Sequence, residues 1–568
     1  MLKTLFLSLL IAAHLGGDHV NRYLEKRYPA PPAKEIQEYI KRQNPDGSWP
    51  DIRYGDKKRS RWNDGTHLTR FQKLCLDYHY TGSEEALEAA RKSLVWWTDR
   101  MPQCPNWWFN MISAPRTVGV AILMIRDSMS PDEQERALRI MNQCQFGKTG
   151  QNKVWQATNV LLRGLFLDDE GLVRAARDTI ASEIRITTKE GLQPDMSFHQ
   201  HGPQLQFGNY GLAYATSFAT LIEAFRGTPI AFSEEQERII HDYVSDGLRW
   251  VVWKGRMDMS ACGRQVFKGQ QRTKGRAVQN IMRKLGIEDT PLTGARYFPR
   301  SDFGVYRTPD WYASVRMQSR RTIGFECTNK ENMRANFSAD GAVLVRVHGD
   351  EYKDVSACWD WHHVPGTTAY DDGPLWGPKG KKPYNKSERV FGKAGEDCLV
   401  TAMELDRDGL KARKCWFFTP SGIICLGTDI HMEKELRVTT AVEQNVLQGE
   451  VRTGKGWTWH DGKAYVRLDG GRFVLAPYGH KGDWYAIAPY YSKDEETKDL
   501  FDLYIDHGTA PSGASYAYAV LPVAADGKTA ARQIRRQVKV LSNSAELQSL
   551  QIDGKTYTVD WERTEIRF

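Results

Sequence analysis

The first half of the chain spaces its apolar residues three and four positions apart, which is the period of an α-helix. Several of these stretches open with a serine followed by acidic residues, as helix N-termini do. They are residues 82–97, 130–144 and 232–253, with Ser83, Ser130 and Ser233 as the expected N-caps. The same period continues through residues 154–167, 171–186 and 212–225. The pattern predicts helical hairpins joined by short loops and stacked around a ring or solenoid.

Beyond residue 304 the pattern changes to short runs in which apolar and polar residues alternate, separated by turns rich in glycine and aspartate. The runs are residues 311–317, 341–347, 462–468, 472–478, 515–523 and 557–561. Residues 289–304 are rich in turn formers and indicate a boundary between the two patterns. We therefore predict an α+β multidomain fold. An incomplete α/α toroid over residues 18–290 is followed by an antiparallel β-sandwich over residues 291–568.

The N-terminus MLKTLFLSLLIAAHLGG has Lys3 followed by an apolar run over residues 5–13, a pattern typical of a secretory signal peptide. We expect residues 1–17 to be this peptide and the protein to be secreted or periplasmic. The run is too short to span a bilayer, and no other segment predicts a membrane span. Nine scattered cysteines without a C-x-x-C pair do not indicate a disulfide framework, and most are expected to be buried.

Composition favours a carbohydrate partner. The chain has 18 tryptophans and 24 tyrosines, and aromatic rings stack on sugar rings as well as filling cores. A net charge of +8 is compatible with an acidic substrate, while the absence of basic tracts and of zinc-finger or RNA-recognition motifs argues against nucleic acid. No cofactor is expected, and a monomer is expected.

Four short clusters combine polar residues with turn formers. Residues 106–110 (NWWFN) hold a tryptophan pair, and residues 147–155 (GKTGQNKVW) hold an asparagine before an apolar helix. Residues 195–211 (DMSFHQHGPQLQFGNYG) hold two histidines and a tyrosine, and residues 258–268 (DMSACGRQVFK) hold an arginine after a glycine. Each has an ordinary interpretation as well: core packing, a helix cap, a polar loop and a surface arginine.

The third cluster poses a geometric problem. His201 and Tyr210 are nine residues apart, so on a straight helix their side chains would point to opposite faces. If the two act together, the segment cannot be one helix. Gly202, Pro203 and Gly208 are the residues expected to break it.

The order of these clusters resembles polysaccharide lyase family 8, which includes bacterial hyaluronate, chondroitin AC and xanthan lyases. The family shows NWW, then TGAN, then DGS-x-x-x-H with a tyrosine nine residues on, then GR, an E-N motif and a PGTT stretch. The corresponding segments here are NWW (106–108), TGQN (149–152), DMSFHQH (195–201) with Tyr210–Gly211, GRQVFK (263–268), NKEN (329–332) and WDWHHVPGTT (359–368). The resemblance runs from about residue 100 to residue 370.

The resemblance implies cleavage of a uronate-containing polysaccharide by β-elimination without a metal. Asn152 would donate to the uronate carboxylate and stabilise the developing enolate, a duty that His201 could share. Tyr210 would transfer protons, and the Arg264 cation would favour its phenolate and lower its pKa. Glu331 would orient His201 or Arg264.

With glucuronate, both groups leave from one face, so Tyr210 would be base and then acid. With iduronate, His201 would be the base and Tyr210 the acid. His199 lacks the nine-residue relation to Tyr210 and is interpreted as packing or as a supporting residue.

Substrate contacts beyond the reacting atoms are also implied. Trp107 and Trp108 would stack on sugar rings, Lys268 stands where the family has a second arginine, and Asn332 completes the E-N motif. The departures TGQN, DMS and Lys268 indicate a divergent relative. The chain is also shorter than typical members, so the small C-terminal β domain is expected to be reduced or absent.

Two other classes of function remain open on the sequence. An α/α-barrel glycoside hydrolase would need two carboxylates beside the scissile bond, and Glu190 and Asp195 are the candidates. A non-catalytic binding protein for acidic glycans would need neither. His362 and His363 could be metal ligands, but adjacent histidines without a carboxylate cluster are more often structural. The sequence does not distinguish hyaluronan, chondroitin, gellan and xanthan.

Overall fold

A computed structural model describes residues 17–375, 377 and 384–568. Most of the predicted signal peptide, residues 1–16, lies outside the described residues. The α-helices are α1 Gly17–Arg27, α2 Ala33–Arg42, α3 Gly65–Thr81, α4 Glu84–Arg100, α5 Ala114–Met124, α6 Pro131–Met141, α7 Gly150–Leu167, α8 Glu170–Ala181, α9 Leu212–Phe225, α10 Glu234–Asp246, α11 Gln270–Lys284 and α12 Gly527–Gln537. None of the helices in the described part of the chain is long and apolar enough to cross a membrane.

The helix starts follow from the predicted caps. The Ser83 side chain accepts a hydrogen bond from Ala86 N at the start of α4. Ser130 forms a capping box with Glu133 at the start of α6, and Ser233 exchanges hydrogen bonds with Gln236 in the same way before α10. All three serines are therefore N-caps, as predicted.

The predicted helix over residues 232–253 is too long. It ends at Asp246, and Gly247 turns the chain with φ −118° and ψ −81° into a short 3-10 turn. A Cβ at Gly247 would lie 2.2 Å from Met196 O, so the glycine permits a close backbone approach that ends the helix. The last predicted residues, Val252–Trp253, form a short strand instead.

Twenty-five strands are described, and every ladder between them is antiparallel. They are β1 Gly191–Leu192, β2 Phe198–His199, β3 Val252–Trp253, β4 Arg256–Met257, β5 Gly294–Phe298, β6 Phe303–Arg307, β7 Tyr312–Arg316, β8 Ala342–Arg346, β9 Thr368–Asp371, β10 Val390–Ala394, β11 Leu399–Arg407, β12 Leu410–Thr419, β13 Gly422–Met432, β14 Arg437–Val446, β15 Val451–Gly454, β16 Trp457–His460, β17 Lys463–Gly470, β18 Phe473–Leu475, β19 Gly479–Gly482, β20 Glu496–Thr509, β21 Ser512–Leu521, β22 Val538–Asn543, β23 Leu547–Ile552, β24 Lys555–Asp560 and β25 Glu565–Arg567. Each of the six predicted alternating runs contains a strand. The stretch predicted as a boundary contains β5.

The strands form one eight-stranded sheet, in the order β10-β11-β12-β13-β21-β17-β16-β15, and one five-stranded sheet built on β18-β20-β14-β9. Strands β5–β8 and β22–β25 form two four-stranded sheets, and β1–β2 and β3–β4 are hairpins. Apolar side chains of the eight-stranded sheet, such as Phe417 and Val466, are buried in one cluster with Leu550 and Trp561 of the C-terminal sheet and with Ile534 of α12. This apolar layer makes the β domain a sandwich, as the alternating pattern predicts.

The α+β fold class is confirmed, with helices first and antiparallel sheets after them. The small C-terminal sheet, expected to be reduced or absent, is present as the four short strands β22–β25. By compactness, the chain divides into two units. The helical unit contains the described residues up to Arg185 and, after a gap, Ala213–His241. The second unit contains Ile186–Leu212 and Asp242–Phe568. The domain boundary after residue 290 stays a prediction, since compactness and secondary structure are different criteria.

The cysteines match the expectation. All nine are free thiols, and eight are buried while Cys327 is partly exposed.

Candidate active site

The segment 195–211 is folded back on itself within the second unit. After β2, the backbone takes a left-handed conformation at His201 (φ 63°) and at Gly202 (φ 90°), and Phe207–Gly211 then form a π-helical turn before α9. The rings of His201 and Tyr210 come within 4.8 Å of each other, centre to centre, at 66°. The prediction that this segment is not one helix is therefore confirmed.

Gly208 does not break a helix, as the sequence suggested, because it lies inside the π-helical turn. A Cβ there would meet Met257 Sδ at 2.6 Å and both Ala261 O and Cys262 Cα at 2.7 Å. The glycine is needed for close packing of the turn that carries Tyr210.

Arg264 approaches the same tyrosine from the turn that follows Met259–Ala261. Its guanidinium carbon lies 5.6 Å from the centre of the Tyr210 ring, and both residues are buried. The surface-arginine interpretation is wrong, because the Arg264 side chain is only 9% exposed and bonds two carboxylates.

One of these carboxylates, Glu326, was not selected from the sequence. Glu326 Oε2 lies 2.8 Å from His201 Nδ1, and Oε1 lies 2.7 Å from Arg264 Nη1. The Gln206 amide and the Thr328 hydroxyl also donate to this fully buried side chain. Because an ionised carboxylate only accepts, Nδ1 of His201 is the donor to Glu326.

The other carboxylate is Glu331, predicted to orient His201 or Arg264. It bonds Arg264 Nε at 2.6 Å, whereas Glu326 holds the histidine. The Tyr490 hydroxyl donates to Glu331 Oε1 over 2.9 Å, so a second tyrosine that the sequence did not suggest supports the arginine.

The electrostatics correct the expectation for Tyr210. Burial raises the pKa of its phenol, and this effect outweighs Arg264, which lowers the same pKa as predicted. Glu326 and Glu331 raise it further. In the free protein, Tyr210 is therefore held as the neutral phenol.

A buried lysine ties the two turns of the site together. Lys274, on α11, donates to Gly208 O in the Tyr210 turn and, over 2.6 Å, to Gln265 Oε1 in the Arg264 turn. Burial lowers its pKa to about 8. Lysine-to-backbone contacts of this kind leave no pattern in a single sequence.

Asn152 lies in the helical unit, in the first turn of α7. Thr149 occupies the N-cap position, so the ordinary interpretation of Asn152 as a helix cap is wrong. Asn152 is 6% exposed, and its Oδ1 has no hydrogen-bond partner in the described part of the chain. Because the two ends of an amide are interchangeable by a flip, this open end can present a donor as well as an acceptor.

Trp107 and Trp108, also in the helical unit, are both half-buried, so neither is simply a core residue. Lys148 Nζ lies 4.4 Å from the centre of the Trp107 ring, and the Trp108 ring contacts Trp155 edge-on at 5.6 Å. Phe146, two residues before Lys148, is 42% exposed. In the sequence, Phe146 stands alone among polar residues, and this isolation is the signal by which it could have been selected.

Two predicted substrate residues are not part of the tyrosine cluster. The Lys268 side chain is 63% exposed and pairs with Glu496 Oε1 at 3.2 Å. Asn332 is 4% exposed, and its buried Oδ1 has no hydrogen-bond partner among the described residues. With Glu326 it lines a partly open cavity of about 30 Å³.

The hydrolase carboxylates are engaged in loop structure. Glu190 accepts from Gly202 N at 3.0 Å and from the Gln200 amide, and Asp195 accepts from Ser197 and from Arg300 N. His199, interpreted as a supporting residue, is buried and bonds the Ser301 hydroxyl at 2.9 Å.

The paired histidines do have carboxylates beside them, contrary to the sequence interpretation. His363 Nδ1 lies 2.9 Å from Asp502 Oδ2, and these two with Asp360 could place three ligand atoms within 4.8 Å of one another. His362 bonds Asp360 at 3.2 Å. These contacts are hydrogen bonds between partly buried histidine side chains and neighbouring aspartates.

Comparison with known proteins covers nearly the whole chain. The family model "Polysaccharide lyase family 8, N terminal alpha-helical domain" matches residues 21–290, and the "super-sandwich domain" model of the same family matches residues 293–533. A chondroitinase-AC of Pedobacter heparinus is 30% identical over 561 residues, covering 89% of this chain and 79% of the relative. A hyaluronate lyase of Thermasporomyces composti is 23% identical, covering 89% and 76%.

Solved structures agree with these matches. A structure of chondroitinase AC lyase with bound oligosaccharides superposes with a TM-score of 0.87 at 27% identity, covering 97% of this chain and 89% of the other. A Paenibacillus xanthan lyase superposes with a TM-score of 0.82 at 19% identity, covering 96% and 61%, which shows a shared fold.

Proposed function

Since the chain belongs to polysaccharide lyase family 8 and is a polysaccharide lyase, we propose that it cleaves glucuronate-containing chondroitin chains by β-elimination. The observation that carries the chemistry is the convergence of His201, Tyr210 and Arg264 around two carboxylates. The preference for chondroitin rests on the greater identity to a chondroitinase-AC, 30% against 23% for a hyaluronate lyase.

Tyr210 is the proposed base and acid. The C5 proton of the uronate is removed, the bond from C4 to the bridging oxygen breaks, and an unsaturated uronate is left. With glucuronate, both groups are on one face, so one phenol can serve both steps. Arg264 is the cation that favours the phenolate against the effect of burial.

His201 is placed to assist. Glu326 fixes Nδ1 as the donor, so Nε2 is the nitrogen available to accept a proton. This geometry supports two uses: acceptance of the phenolic proton before the elimination, or direct abstraction if the substrate is an iduronate. Glu326 and Glu331 hold the histidine and the arginine and do not themselves react.

Asn152 is the proposed donor to the uronate carboxylate. Its nearly buried amide has an oxygen without a hydrogen-bond partner among the described residues and lies in the first turn of a helix, where the helix dipole favours an anion. A neutral donor stabilises the enolate that develops when the C5 proton leaves. Trp107, Trp108 and the exposed Phe146 are proposed to stack on neighbouring sugar rings.

The test is a panel of chondroitin, chondroitin sulfate, hyaluronan and xanthan, scored by near-ultraviolet absorbance of the unsaturated product. We expect the highest kcat/KM on a chondroitin. Tyr210→Phe should keep the affinity for the polymer and lose activity by at least about 1000-fold, which is within the range for removal of a general acid–base group.

Tyr214→Phe is the matched control. The Tyr214 hydroxyl donates to Glu183 O over 2.8 Å and has a structural role, so its removal should leave kcat within about twofold. Retained activity in Tyr210→Phe would refute the assignment of the base. Faster cleavage of hyaluronan than of any chondroitin would refute the substrate.

A further inference from the structure

An exposed basic loop lies next to the tryptophan pair. Residues 53–61 (RYGDKKRSR) contain five cations, and all five are exposed, so the chain does hold one short basic stretch, contrary to the sequence interpretation. We name this segment the basic loop. It belongs to the helical unit, as do Trp107 and Asn152.

The basic loop is fixed to the segment that leads into Trp107. Arg59 Nη1 donates to Pro105 O over 3.1 Å, and the Asn106 amide donates back to Arg59 O over 2.8 Å. The Cys104 thiol contacts Lys58 O at 3.4 Å. Three consecutive residues before Trp107 therefore hold the loop in place.

The acids of this region bond backbone groups, and the loop keeps an excess of four positive charges. Asp56 accepts from the backbone N–H groups of Lys58 and Asn63, and Asp64 accepts from those of Gly55 and Asp56. Their carboxylates are thus used to shape the backbone. Among the described residues, no carboxylate oxygen lies within 4.0 Å of the charged groups of Lys57, Lys58 or Arg59.

Lys148 supplies one more cation on the Trp107 ring itself, at 4.4 Å from its centre. Exposed ammonium groups beside an aromatic surface match a sugar chain that carries charged groups on its rim. A lysine is a point charge without the planar fork of arginine, so it suits a tetrahedral oxyanion that projects from the ring in variable positions.

We infer that the basic loop, through Lys57 and Lys58, binds sulfate esters of a sulfated chondroitin chain beyond the scissile bond. This inference rests on the proposed function, because it takes the tryptophan pair as the neighbouring sugar subsite. It makes sulfated polymers, with two negative charges per disaccharide, the preferred substrates over polymers that carry only the carboxylate.

The test compares chondroitin sulfate with unsulfated chondroitin of the same length, so that only the sulfate differs. Binding is measured by titration calorimetry in the Tyr210→Phe protein, with and without K57Q and K58Q together. In the Tyr210→Phe parent, we expect the sulfated polymer to bind about three- to tenfold more tightly than the unsulfated one. In the variant that also carries K57Q and K58Q, the ratio of the two affinities should be near one. Its affinity for unsulfated chondroitin should equal that of the parent. Salt at about 0.5 M should remove the preference in the parent.

K34Q with K41Q is the matched control. Both lysines are exposed on α2 and take part in no ion pair in the described part of the chain, so the net charge falls equally. The control should keep the ratio of affinities. The sulfate assignment is overturned if the K57Q and K58Q variant keeps the same ratio of affinities, or if it binds both polymers more weakly by the same factor. If no polymer yields an unsaturated product while the ratio behaves as expected, the proposed function fails and the sulfate site stands.

Discussion

Glu326 accepts hydrogen bonds from two side chains at once: one oxygen faces Arg264 and the other faces His201. It is fully buried, so its charge is compensated within the site, and charge-assisted hydrogen bonds of this kind are short and strong. The same charge raises the pKa of Tyr210. Glu326 therefore orients the two groups proposed to act on Tyr210, while its charge opposes the ionisation of that tyrosine.

Glu326→Gln should separate these effects. The amide keeps the size of the side chain but loses the charge that holds His201 and Arg264, so we expect kcat to fall by about 10- to 100-fold. KM should stay within about threefold, because Glu326 is not proposed to touch the substrate. Initial rates on a chondroitin, followed in the near ultraviolet, provide the measurement.

Glu331→Gln is the control for this variant. It weakens the contacts of Glu331 with Arg264 and with the Tyr490 hydroxyl but leaves His201 held, so its kcat should fall less. A larger loss in Glu331→Gln than in Glu326→Gln would show that the histidine contact is not the important one.

The π-helical turn Phe207–Gly211 is the element that brings Tyr210 to His201 and Arg264. It is packed at Gly208 against the Met259–Ala261 turn and is tied by Lys274 to the arginine segment. Such π-bulges are rare and occur often at functional sites. The position of the Tyr210 phenol thus depends on backbone packing several residues away.

Gly208→Ala should show this dependence. The new methyl would overlap three atoms at 2.6–2.7 Å, two of them backbone atoms, so the turn must shift. We expect a loss of about 1–3 kcal/mol in stability, typical of overpacking, and a fall in kcat at temperatures where the protein is folded. Thermal melts and rates check the two effects.

Gly479→Ala is the matched control, since a methyl on that glycine meets nothing within 4 Å and its φ is not positive. It should leave both the melt and the rate unchanged. If a folded Gly208→Ala protein had the kcat of the wild type, the position of Tyr210 would not depend on packing at Gly208.

Hydrophobic periodicity predicted most elements because burial of one face determines them. It placed α9 at Leu212–Phe225 and a strand in every alternating run. It failed at Gly247, which ends α10 early through its close approach to Met196, and in the boundary stretch, which forms β5 in a hairpin with β6. Such approaches involve residues distant in sequence, and no local pattern encodes them.

At the scale of the whole molecule, buried histidines make stability depend on pH. Burial lowers the pKa of His67, His460 and His507 to about 4 and that of His199 to about 3. The unfolded chain binds these protons near pH 6.5 and the folded protein does not, so stability falls as the pH drops from about 6.5 to 4. Each group can contribute up to about 1.4 kcal/mol per pH unit.

Two histidines act in the opposite direction. The bond to Asp461 raises the pKa of His348, and although burial lowers that of His363, its bond to Asp502 outweighs this and raises it. Groups of this kind stabilise the fold below about pH 6.5 and lose that contribution as the pH rises through the raised value.

We therefore expect the melting temperature to fall between pH 7 and pH 5. His460→Gln should show a smaller fall than the wild type, because it removes one proton acceptor of the unfolded state. His348→Gln should show a larger fall, because it removes a compensating group. If the melting temperature falls equally with pH in the wild type and in both variants, these histidines do not determine the pH dependence of stability.

The candidate site was predicted in part. Motif order selected His201, Tyr210 and Arg264, which the structure brings together, whereas Glu326 lies 125 residues from its histidine partner. Both Glu326 and Glu331 stand in one short stretch of sequence, and only the fold decides which carboxylate faces the imidazole. Likewise, the effect of burial on the Tyr210 pKa cannot be judged before the packing is known.

His201 occupies a left-handed backbone conformation that glycine adopts freely and that other residues adopt at a cost of about 1–3 kcal/mol. Folding alone would thus favour glycine at this position. On the role proposed for His201, the histidine is kept because selection for cleavage outweighs that cost. In a lineage that ceased to degrade its polymer, position 201 would be among the first to drift, and glycine there would mark a descendant that has kept the fold and abandoned the chemistry.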